Sequence, residues 1–334
     1  MNIYDIAEKA GVSIATVSRV VNGSNKVSEK TRNKVMAIIE ETDYTPNVFA
    51  QGLGLDSMHS IGVLVPGISD AYLSQAVSHI EEKLHKNGYD MILGCSGYEA
   101  AGKESHIKML IEKRIDALML VGSTYAGSED ETHNTDHILQ AAKSKPLFLI
   151  NGMVDGENIY CTGSNDYQAS YDATSSLLNS GHKKILFLTD SRSYSANQKK
   201  AGYIQAHKDI GKLPSEKLMI HTKNDISVVK NLLLDANLKF DGVFATDDGM
   251  AVGAIKYAIK KGIRIPDDIN IIGYNNSSLC ICSNPELTSV DNRLEKVCND
   301  SIDRMIAVLN KDPNVISQKQ IVACSLIKRQ TTNF

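Results

Sequence analysis

Acidic and amide side chains follow short apolar runs in the second half of the chain. Asp247 and Asp248 come just after Gly242–Ala245, and Asn275 comes just after Ile269–Gly273. Such groups suit either acid–base catalysis or hydrogen bonding to a small polar ligand. Two carboxylates adjacent in sequence do not flank a substrate as a glycosidase pair must. We therefore favour a ligand site over an active site.

Other patterns that would indicate catalysis or metal binding are missing from the sequence. It has no G-x-S-x-G elbow, no P-loop and no His/Glu metal spacing. Cys280 and Cys282 form an isolated C-x-C pair, and the other cysteines are scattered, which is typical of reduced thiols in the cytoplasm. We see no signal peptide and no apolar run near the roughly 18 residues that span a bilayer. We expect no enzyme activity, cofactor, metal or membrane segment.

The first 45 residues have a helical pattern broken by "GVSIATVSRVVNG", residues 11–23. Gly11 suits the left-handed residue that closes one helix, and Ser13 suits the N-cap of the next. The apolar spacing predicts helices over residues 3–10, 13–22 and 28–41. Two short helices joined by a turn that contains Gly form a helix-turn-helix. The second helix of such a unit enters the DNA major groove.

The outer face of this second helix carries side chains suited to DNA. Ile14 and Ala15 would contact thymine methyl groups, and Arg19 would bind guanine. The side chains suited to phosphate contacts are Tyr4, Ser13, Thr16, Ser18, Asn22 and Lys26. Basic residues predominate between positions 9 and 36, as expected of a phosphate-binding patch. The alternative is a three-helix cap packed on the larger domain.

From residue 59 onward, apolar runs alternate with helical stretches. The runs are Ile61–Val65, Met91–Leu93, Ala117–Val121, Leu147–Ile150, Ile185–Leu188, Gly242–Ala245 and Ile269–Gly273. Helical stretches between them include Leu73–Asn87, Ala169–Ser180 and Met250–Lys261. The alternation predicts two lobes with parallel sheets, and ligands bind outside the carboxyl ends of such strands. Polar side chains there also serve as helix N-caps, which is the role we expect for Ser96 and Ser123.

The chain resembles the LacI/GalR family of bacterial transcription regulators. The most specific matches are "IYDIAEKAGVSIATVSRVVNG" and "VSEKTRNKVMAIIEETDYTPNVFAQGL". Looser matches follow in the correct order: "SIGVLVPGISDAY", "SGHKKILFL", "GVFATDDGMAVGAIKYAIKKGIRIPDDINIIGYNN" and "PELTSV". The resemblance implies an all-α helix-turn-helix head and an α/β periplasmic-binding-protein-like core of two lobes. It also implies a cytoplasmic homodimeric repressor of palindromic operator DNA, controlled by a sugar-like effector.

The resemblance also implies a division of the chain. The head would be residues 1–45, a hinge helix or linker 46–58, and the core 59–334. Within the core, one subdomain would comprise about 59–160 and 291–320, and the other about 161–290 and 321–334. A solute receptor of a transporter has the same two-lobed core, but the presence of residues 1–58 argues against that class.

The hinge segment has its own implied role on DNA. In the family this helix pairs with its dimer mate and inserts a Leu into the minor groove, as other minor-groove wedges do. Leu53 matches that Leu, and Ala50 matches the small residue before it. Gly52 and Gly54 weaken any isolated helix by roughly 1 kcal/mol each. We expect this helix to form only when something packs on it; the alternative is a flexible linker.

The resemblance assigns side chains to the effector as well. Tyr72 matches the aromatic that stacks on the ligand, Lys199 replaces a usual Arg, and Asp248 matches the Asp of an Asn-Asp pair. Asn151, Asn165 and Asn275 fall where many members have Asp. The candidate ligand-binding residues are Ser69, Tyr72, Asn151, Lys199, Asp248 and Asn275. Loss of negative charge at the three Asn positions predicts an acidic sugar or sugar phosphate that pairs with Lys199.

Overall fold

The structure of the protein is a computed structural model. It describes residues 2–21, 24–42, 57–127, 135–312 and 317–334. The chain divides into two compact units, Met1–Ser60 and Ile61–Phe334. The predicted hinge lies outside the described residues except for residues 57 and 58, so Ala50 and Leu53 are not described. Asn22 is also outside them.

The first unit is a small bundle of helices, as predicted. Its helices are α1 (Ile3–Ala10), α2 (Ile14–Val21) and α3 (Glu29–Glu41). Gly11 ends α1 in the left-handed conformation, with φ of 62°. The buried side chains Ile6, Val17 and Val35 bring one face of each helix into a common core. The helix-turn-helix geometry follows from this core, because α2 has only one apolar face to bury.

The second unit contains twelve strands among the described residues. The strands are β1 (Ser60–Val65), β2 (Asp90–Cys95), β3 (Ala117–Val121), β4 (Leu147–Ile150), β5 (Ile159–Ser164), β6 (Ile185–Thr189), β7 (Met219–His221), β8 (Gly242–Ala245), β9 (Asn270–Tyr274), β10 (Thr288–Asp291), β11 (Lys319–Val322) and β12 (Ser325–Ile327). The helices are α4 (Ala71–Lys86), α5 (Ala100–Glu112), α6 (Asp136–Ala142), α7 (Asp166–Asn179), α8 (Tyr194–Asp209), α9 (Ile226–Asp235), α10 (Asp248–Lys261), α11 (Leu279–Cys282) and α12 (Leu294–Leu309). Short 3-10 turns lie at Ser123–Ala126 and Glu216–Leu218.

Each lobe is built on one six-stranded sheet with helices on both faces. The first sheet has the order β11-β5-β4-β3-β1-β2, and the second has the order β12-β10-β9-β8-β6-β7. In the second sheet β12 runs antiparallel to β10, while β6 to β10 pair in parallel. Alternate residues of one strand enter different cores: Val63 packs with α4, and Leu64 packs with α5. This confirms the predicted α/β architecture with largely parallel sheets.

The chain crosses between the lobes three times. The first crossing is at Asn165, rather than near residue 160, because β5 pairs with β4 and β11 in the first sheet. The second crossing follows β10, and α12 then packs against the first sheet. The third joins β11 to β12, so the C-terminal residues return to the second lobe. These crossings set the lobes with the carboxyl ends of their strands around a shared cleft.

Candidate functional site

One exposed face of α2 carries the side chains predicted to read DNA bases. Ile14 is 41% exposed, and Ala15 and Arg19 are exposed as well. Ser13 accepts a hydrogen bond from the backbone N–H of Thr16 (3.2 Å), which fixes the start of the helix. Ile14 is not among the core side chains of the described part of this unit, so the face suits an apolar surface such as thymine methyl groups.

The predicted phosphate-contact residues that the structure describes are all at least partly exposed. Tyr4, Ser13 and Lys26 are exposed, and Thr16 and Ser18 are half-buried. Arg32 of α3, another basic residue of this unit, binds within the protein. Its guanidinium donates to the backbone carbonyl of Ser24 (2.7 Å). That bond ties the connection between α2 and α3 to the helix core.

A polar cavity lies between the two lobes of the second unit. Its volume is about 140 Å³. Four of the predicted ligand-binding residues line it: Tyr72, Asn151, Lys199 and Asn275. Ser69 lines only the adjoining outer cavity.

Two asparagines take up strained backbone positions at the cavity. Asn151 follows β4 with φ of 63°, and Asn275 follows β9 with φ of 97°. Their backbone N–H groups still continue the sheets, donating to Thr162 (2.8 Å) and Val290 (2.9 Å). Asn tolerates the left-handed region better than most residues. The turn therefore aims each amide side chain toward the cleft at the point where its strand ends.

Asp247 is the carboxylate of the Asp247–Asp248 pair that faces the cavity. Its Oδ1 accepts from the backbone N–H of Gly249 (2.7 Å), and its Oδ2 accepts from Asn275 Nδ2 (2.9 Å). Burial raises the pKa of Asp247 to about 6, against the opposing effect of the Gly249 N–H. The residue is thus both the N-cap of α10 and a polar group of the cavity wall.

Asp248 lies outside the cavity lining, which differs from the predicted ligand contact. It is 1% exposed, and its carboxylate accepts from Ser289 Oγ (2.6 Å) and from the backbone N–H of Ser277 (2.7 Å). Adjacent residues at the start of a helix point in different directions, so only one of the two can face the cleft. Asp248 instead ties α10 to the loop after β9 and to β10.

Lys199 is set into the cavity wall by contacts of its own. It is 7% exposed, its Nζ lies 3.7 Å from the centroid of the Tyr274 ring, and it donates to the carbonyl of Thr246 (3.3 Å). Tyr274 in turn donates to the buried carboxylate of Asp166 (2.6 Å). The ammonium group is therefore held by protein groups on the side of the second lobe.

The cavity lining carries more carboxylate groups than the Asn residues at positions 151, 165 and 275 led us to expect. Asp70, Asp190 and Asp247 line it together with Lys199. Asn165, one of the three predicted losses of charge, caps α7 by accepting from the backbone N–H of Gln168 (3.1 Å) and is not among the lining residues. Asn151 and Asn275 bring no charge to the lining, as predicted, but Asp70, Asp190 and Asp247 supply carboxylates from other positions.

Several lining residues carry no distinctive sequence signal. Tyr98, Asp190 and Asn224 follow strands β2, β6 and β7, and only the rule that ligands bind at strand ends points to them. Ser123 lines the cavity and donates to Ser193 across the cleft (2.8 Å), so it is not the helix cap that we expected. Ser96 is not a cap either; its hydroxyl is buried and lies 2.7 Å from that of Tyr125.

The described residues show neither a metal site nor a membrane helix. No group of three or more His, Cys, Asp or Glu side chains among them is arranged to hold a metal ion. Over the same part of the chain, no helix combines the length and the apolar character needed to cross a bilayer.

Comparison with known proteins decides the family. Residues 2–47 match the model of bacterial regulatory proteins, lacI family, and residues 174–332 match that of a periplasmic binding protein-like domain. An HTH-type transcriptional regulator of Lachnoclostridium phytofermentans is 46% identical over 341 residues, covering 100% of both chains. The chain belongs to the LacI family. The HTH-type transcriptional regulator DegA of Bacillus subtilis is 30% identical over 335 residues, covering 99% of this chain and 98% of its own.

A solved LacI-family structure agrees over nearly the whole chain. The lac repressor dimer bound to operator and the anti-inducer ONPF has a TM-score of 0.86 at 25% identity, covering 99% of each chain. LacI-family regulators bind operator DNA and small-molecule effectors, act as dimers and are not enzymes. The predicted family, the predicted fold and the absence of an enzymatic function are confirmed.

Proposed function

We propose that this LacI-family regulator is a homodimeric repressor whose operator affinity is controlled by a neutral, hydroxyl-rich sugar. The observation that carries the proposal is the polar cavity between the lobes, in a chain that also carries an exposed α2 face. Residues from both lobes line the cavity, including Tyr72 from the first and Lys199 from the second. A ligand held by both lobes changes their relative position, and this change is the basis of the control.

The DNA half of the proposal rests on α2. Ile14, Ala15 and Arg19 are exposed together near the start and along the outer face of this helix. One such helix reads only a half-site, and a two-fold dimer matches a palindromic operator. The hinge residues Ala50 and Leu53 remain a prediction for the minor groove. Since the operator is on the chromosome, the proposal includes the cytoplasm as the location.

The effector half rests on the chemistry of the lining. Asp190 and Asp247 offer acceptors, and Asn151 and Asn275 offer amides. A sugar hydroxyl both donates and accepts, so it satisfies such a mixture, whereas the carboxylate of a sugar acid meets Asp190 and Asp247 as like charges. The ring of Tyr72 adds an apolar surface of the kind that packs on a sugar face. These features favour a neutral sugar over an acidic one.

The coupling between the two sites is reciprocal. An effector that changes operator affinity has its own affinity changed by the operator to the same extent, usually by about 1–3 kcal/mol. A sugar that prefers the lobe arrangement of the free protein releases DNA, and one that prefers the arrangement of the bound protein strengthens binding.

The test retains genomic DNA fragments of the source organism on the purified protein, with and without a panel of neutral and acidic sugars. We expect a palindromic sequence to be enriched, and one neutral sugar to change its retention at least about five-fold. The matched control is Arg19→Ala, which keeps the core intact and should lose the enrichment. Fragments retained without a common sequence would refute the repressor. Enrichment that only an acidic sugar changes would refute the neutral effector.

A further inference from the structure

We propose that Asp247, Asn275 and Asn292 form a directed hydrogen-bond chain, in which Asn292 positions the Asn275 amide that faces the effector. Asn292 is not among the residues that line the cavity. The inference rests on the proposed function, because it names a residue behind the effector site that sets what the site presents. Asn292 is 2% exposed and follows β10, at the second crossing between the lobes.

The geometry of the chain is continuous. Asn275 Nδ2 donates to Asp247 Oδ2 (2.9 Å), and Asn292 Nδ2 donates to Asn275 Oδ1 (2.9 Å). The nitrogen of each amide therefore has a fixed acceptor: Asp247 for Asn275, and Asn275 for Asn292. Asn275 lines the cavity, so its orientation determines which group an effector meets there.

The direction of the chain follows from its first member. An ionised carboxylate only accepts hydrogen bonds, so Asn275 must turn its N–H₂ group toward Asp247. Its carbonyl oxygen then faces away and needs a donor, which Asn292 supplies. Reversing either amide would bring two oxygens together at the distance where a hydrogen bond now lies. The charge on Asp247 thus fixes the orientation of both asparagines.

The far end of the chain is left incomplete in the described part of the protein. Asn292 Oδ1 is buried there without a hydrogen-bond partner. A buried unpaired acceptor is costly, and it is tolerated where the remaining contacts determine the orientation. Asn292 is also held through its backbone, because Ser164 Oγ donates to its carbonyl (2.7 Å). That second bond anchors the crossing but does not orient the amide.

The hydrogen-bond chain predicts which groups of an effector bind beside Asn275. It presents an N–H donor on Asn275 beside an acceptor on Asp247. A hydroxyl group accepts from the first and donates to the second, whereas a carboxylate does only the former. Asn292 therefore favours hydroxyl groups over anions without touching the effector.

The first experiment needs no effector. Thermal unfolding of the full chain is measured at pH 7.5 for the parent, Asn275→Asp, Asp247→Asn and the double exchange. Asn275→Asp opposes two carboxylates, so we expect its Tm to fall by about 4 °C or more. The double exchange keeps one carboxylate, which accepts from both neighbouring amides, and should return to within about 2 °C of the parent. A double variant whose change in Tm equals the sum of the changes in the two single variants, whatever their signs, would overturn the directed chain.

The second experiment tests positioning with Asn292→Ala against Ser164→Ala. Ser164→Ala removes the other bond to Asn292 and leaves its amide in place, so it controls for a general effect on the crossing. The probes are D-glucose, D-galactose and cellobiose, with D-glucuronate and D-galacturonate as the acids, and the readout is the Tm shift on addition. We expect a neutral sugar to raise the Tm of the parent and of Ser164→Ala equally. In Asn292→Ala we expect at least half of that Tm shift to be lost.

The outcomes separate the two proposals. Equal sugar shifts in Asn292→Ala and Ser164→Ala would overturn the positioning role of Asn292. If none of these sugars shifts the parent, the sugar effector of the proposed function fails, and the exchange experiment alone decides the chain. A double exchange that is more stable than the sum of the two single changes then supports the hydrogen-bond chain, and additive changes overturn it.

Discussion

Asp247 experiences opposing effects on its charge. Its position at the start of α10 favours the ionised form, because the N–H of Gly249 donates to it, while burial disfavours that form more strongly. The result is a pKa raised to about 6. Ionisation is therefore tolerated at neutral pH at a cost in folding free energy, in exchange for an acceptor in the cavity.

This cost predicts a pH dependence of stability. The unfolded carboxyl has a pKa near 3.9, so the native state binds the proton more tightly, and the contribution of Asp247 falls as the pH rises from about 4 to 6. We expect Asp247→Asn to gain about 2–3 kcal/mol on the parent between pH 4 and pH 7 in urea unfolding. Asp225→Asn is the control with the opposite sign, because the N–H of Val228 lowers the pKa of Asp225. A parent-to-variant difference that is flat with pH would contradict the assignment.

Arg19 and Lys26 should differ in what they contribute to DNA binding. Both are exposed in the first unit, but only Arg19 lies on α2, on the face that carries Ile14. We expect Arg19→Ala to lose about 1–3 kcal/mol on the operator with little effect on random DNA. Lys26→Ala should weaken both DNAs and reduce the salt slope by about 1. Fluorescence anisotropy at several salt concentrations separates the two, and equal loss of specificity in both variants would argue against the assignment.

At the scale of elements, α7 and α8 pack with almost no space between their backbones. A Cβ on Gly202 of α8 would collide with the backbone carbonyl of Tyr167 and lie 2.9 Å from the backbone N of Tyr171. Ser170 of α7 also donates to the carbonyl of Lys199 (2.5 Å). This close contact sets the position of Lys199 in the cavity wall, because Lys199 lies one turn before Gly202.

Gly202→Ala should therefore destabilise the protein although Ala favours helices. Overpacking against backbone cannot be relieved by a rotamer change, and we expect a loss of about 1–3 kcal/mol in unfolding free energy. Gly67→Ala is the matched control, since nothing lies within 4 Å of the added atom there. Chemical denaturation compares the two variants. Equal stability would show that the helices separate without cost.

At the scale of the whole molecule, the last residues complete a sheet that begins far earlier in the chain. Thr331 is fully buried, and its hydroxyl accepts from the backbone N–H of Thr288 (2.8 Å) and donates to the carbonyl of Ile271 (2.7 Å). The third crossing is therefore held closed by the C-terminal segment. The fold of the second lobe therefore depends on a contact between two residues that are sixty positions apart in the sequence.

Thr331→Val tests this dependence with a change that keeps the side-chain shape. It leaves a buried N–H and a buried carbonyl without their partner, so we expect a loss of about 1–3 kcal/mol. Asn333→Ala is the control in the same segment, because its side chain is exposed and its backbone bond to Asn270 is kept. Urea unfolding gives both values. A Thr331→Val variant as stable as Asn333→Ala would show that the segment is only loosely attached.

Elements with a strong local pattern were predictable from the sequence. The apolar runs Ala117–Val121, Leu147–Ile150 and Gly242–Ala245 match strands β3, β4 and β8 residue for residue. The strands that escaped prediction are β5, β7, β10, β11 and β12, which are short or rich in polar residues. Lys319–Val322 has a single buried residue, for example, and is a strand because its backbone pairs with β5.

The sequence by itself determined the helix-turn-helix head, the alternation of strands and helices, and the family. These features depend on spacing, capping and turn residues that act over a few positions. Only the tertiary structure decided that Asp247 faces the cavity while Asp248 is buried, and that Asn292 stands behind Asn275. The direction of a side chain at a strand end depends on donors supplied by distant segments, such as Ser289 for Asp248. Those donors are brought together only when both lobes have folded.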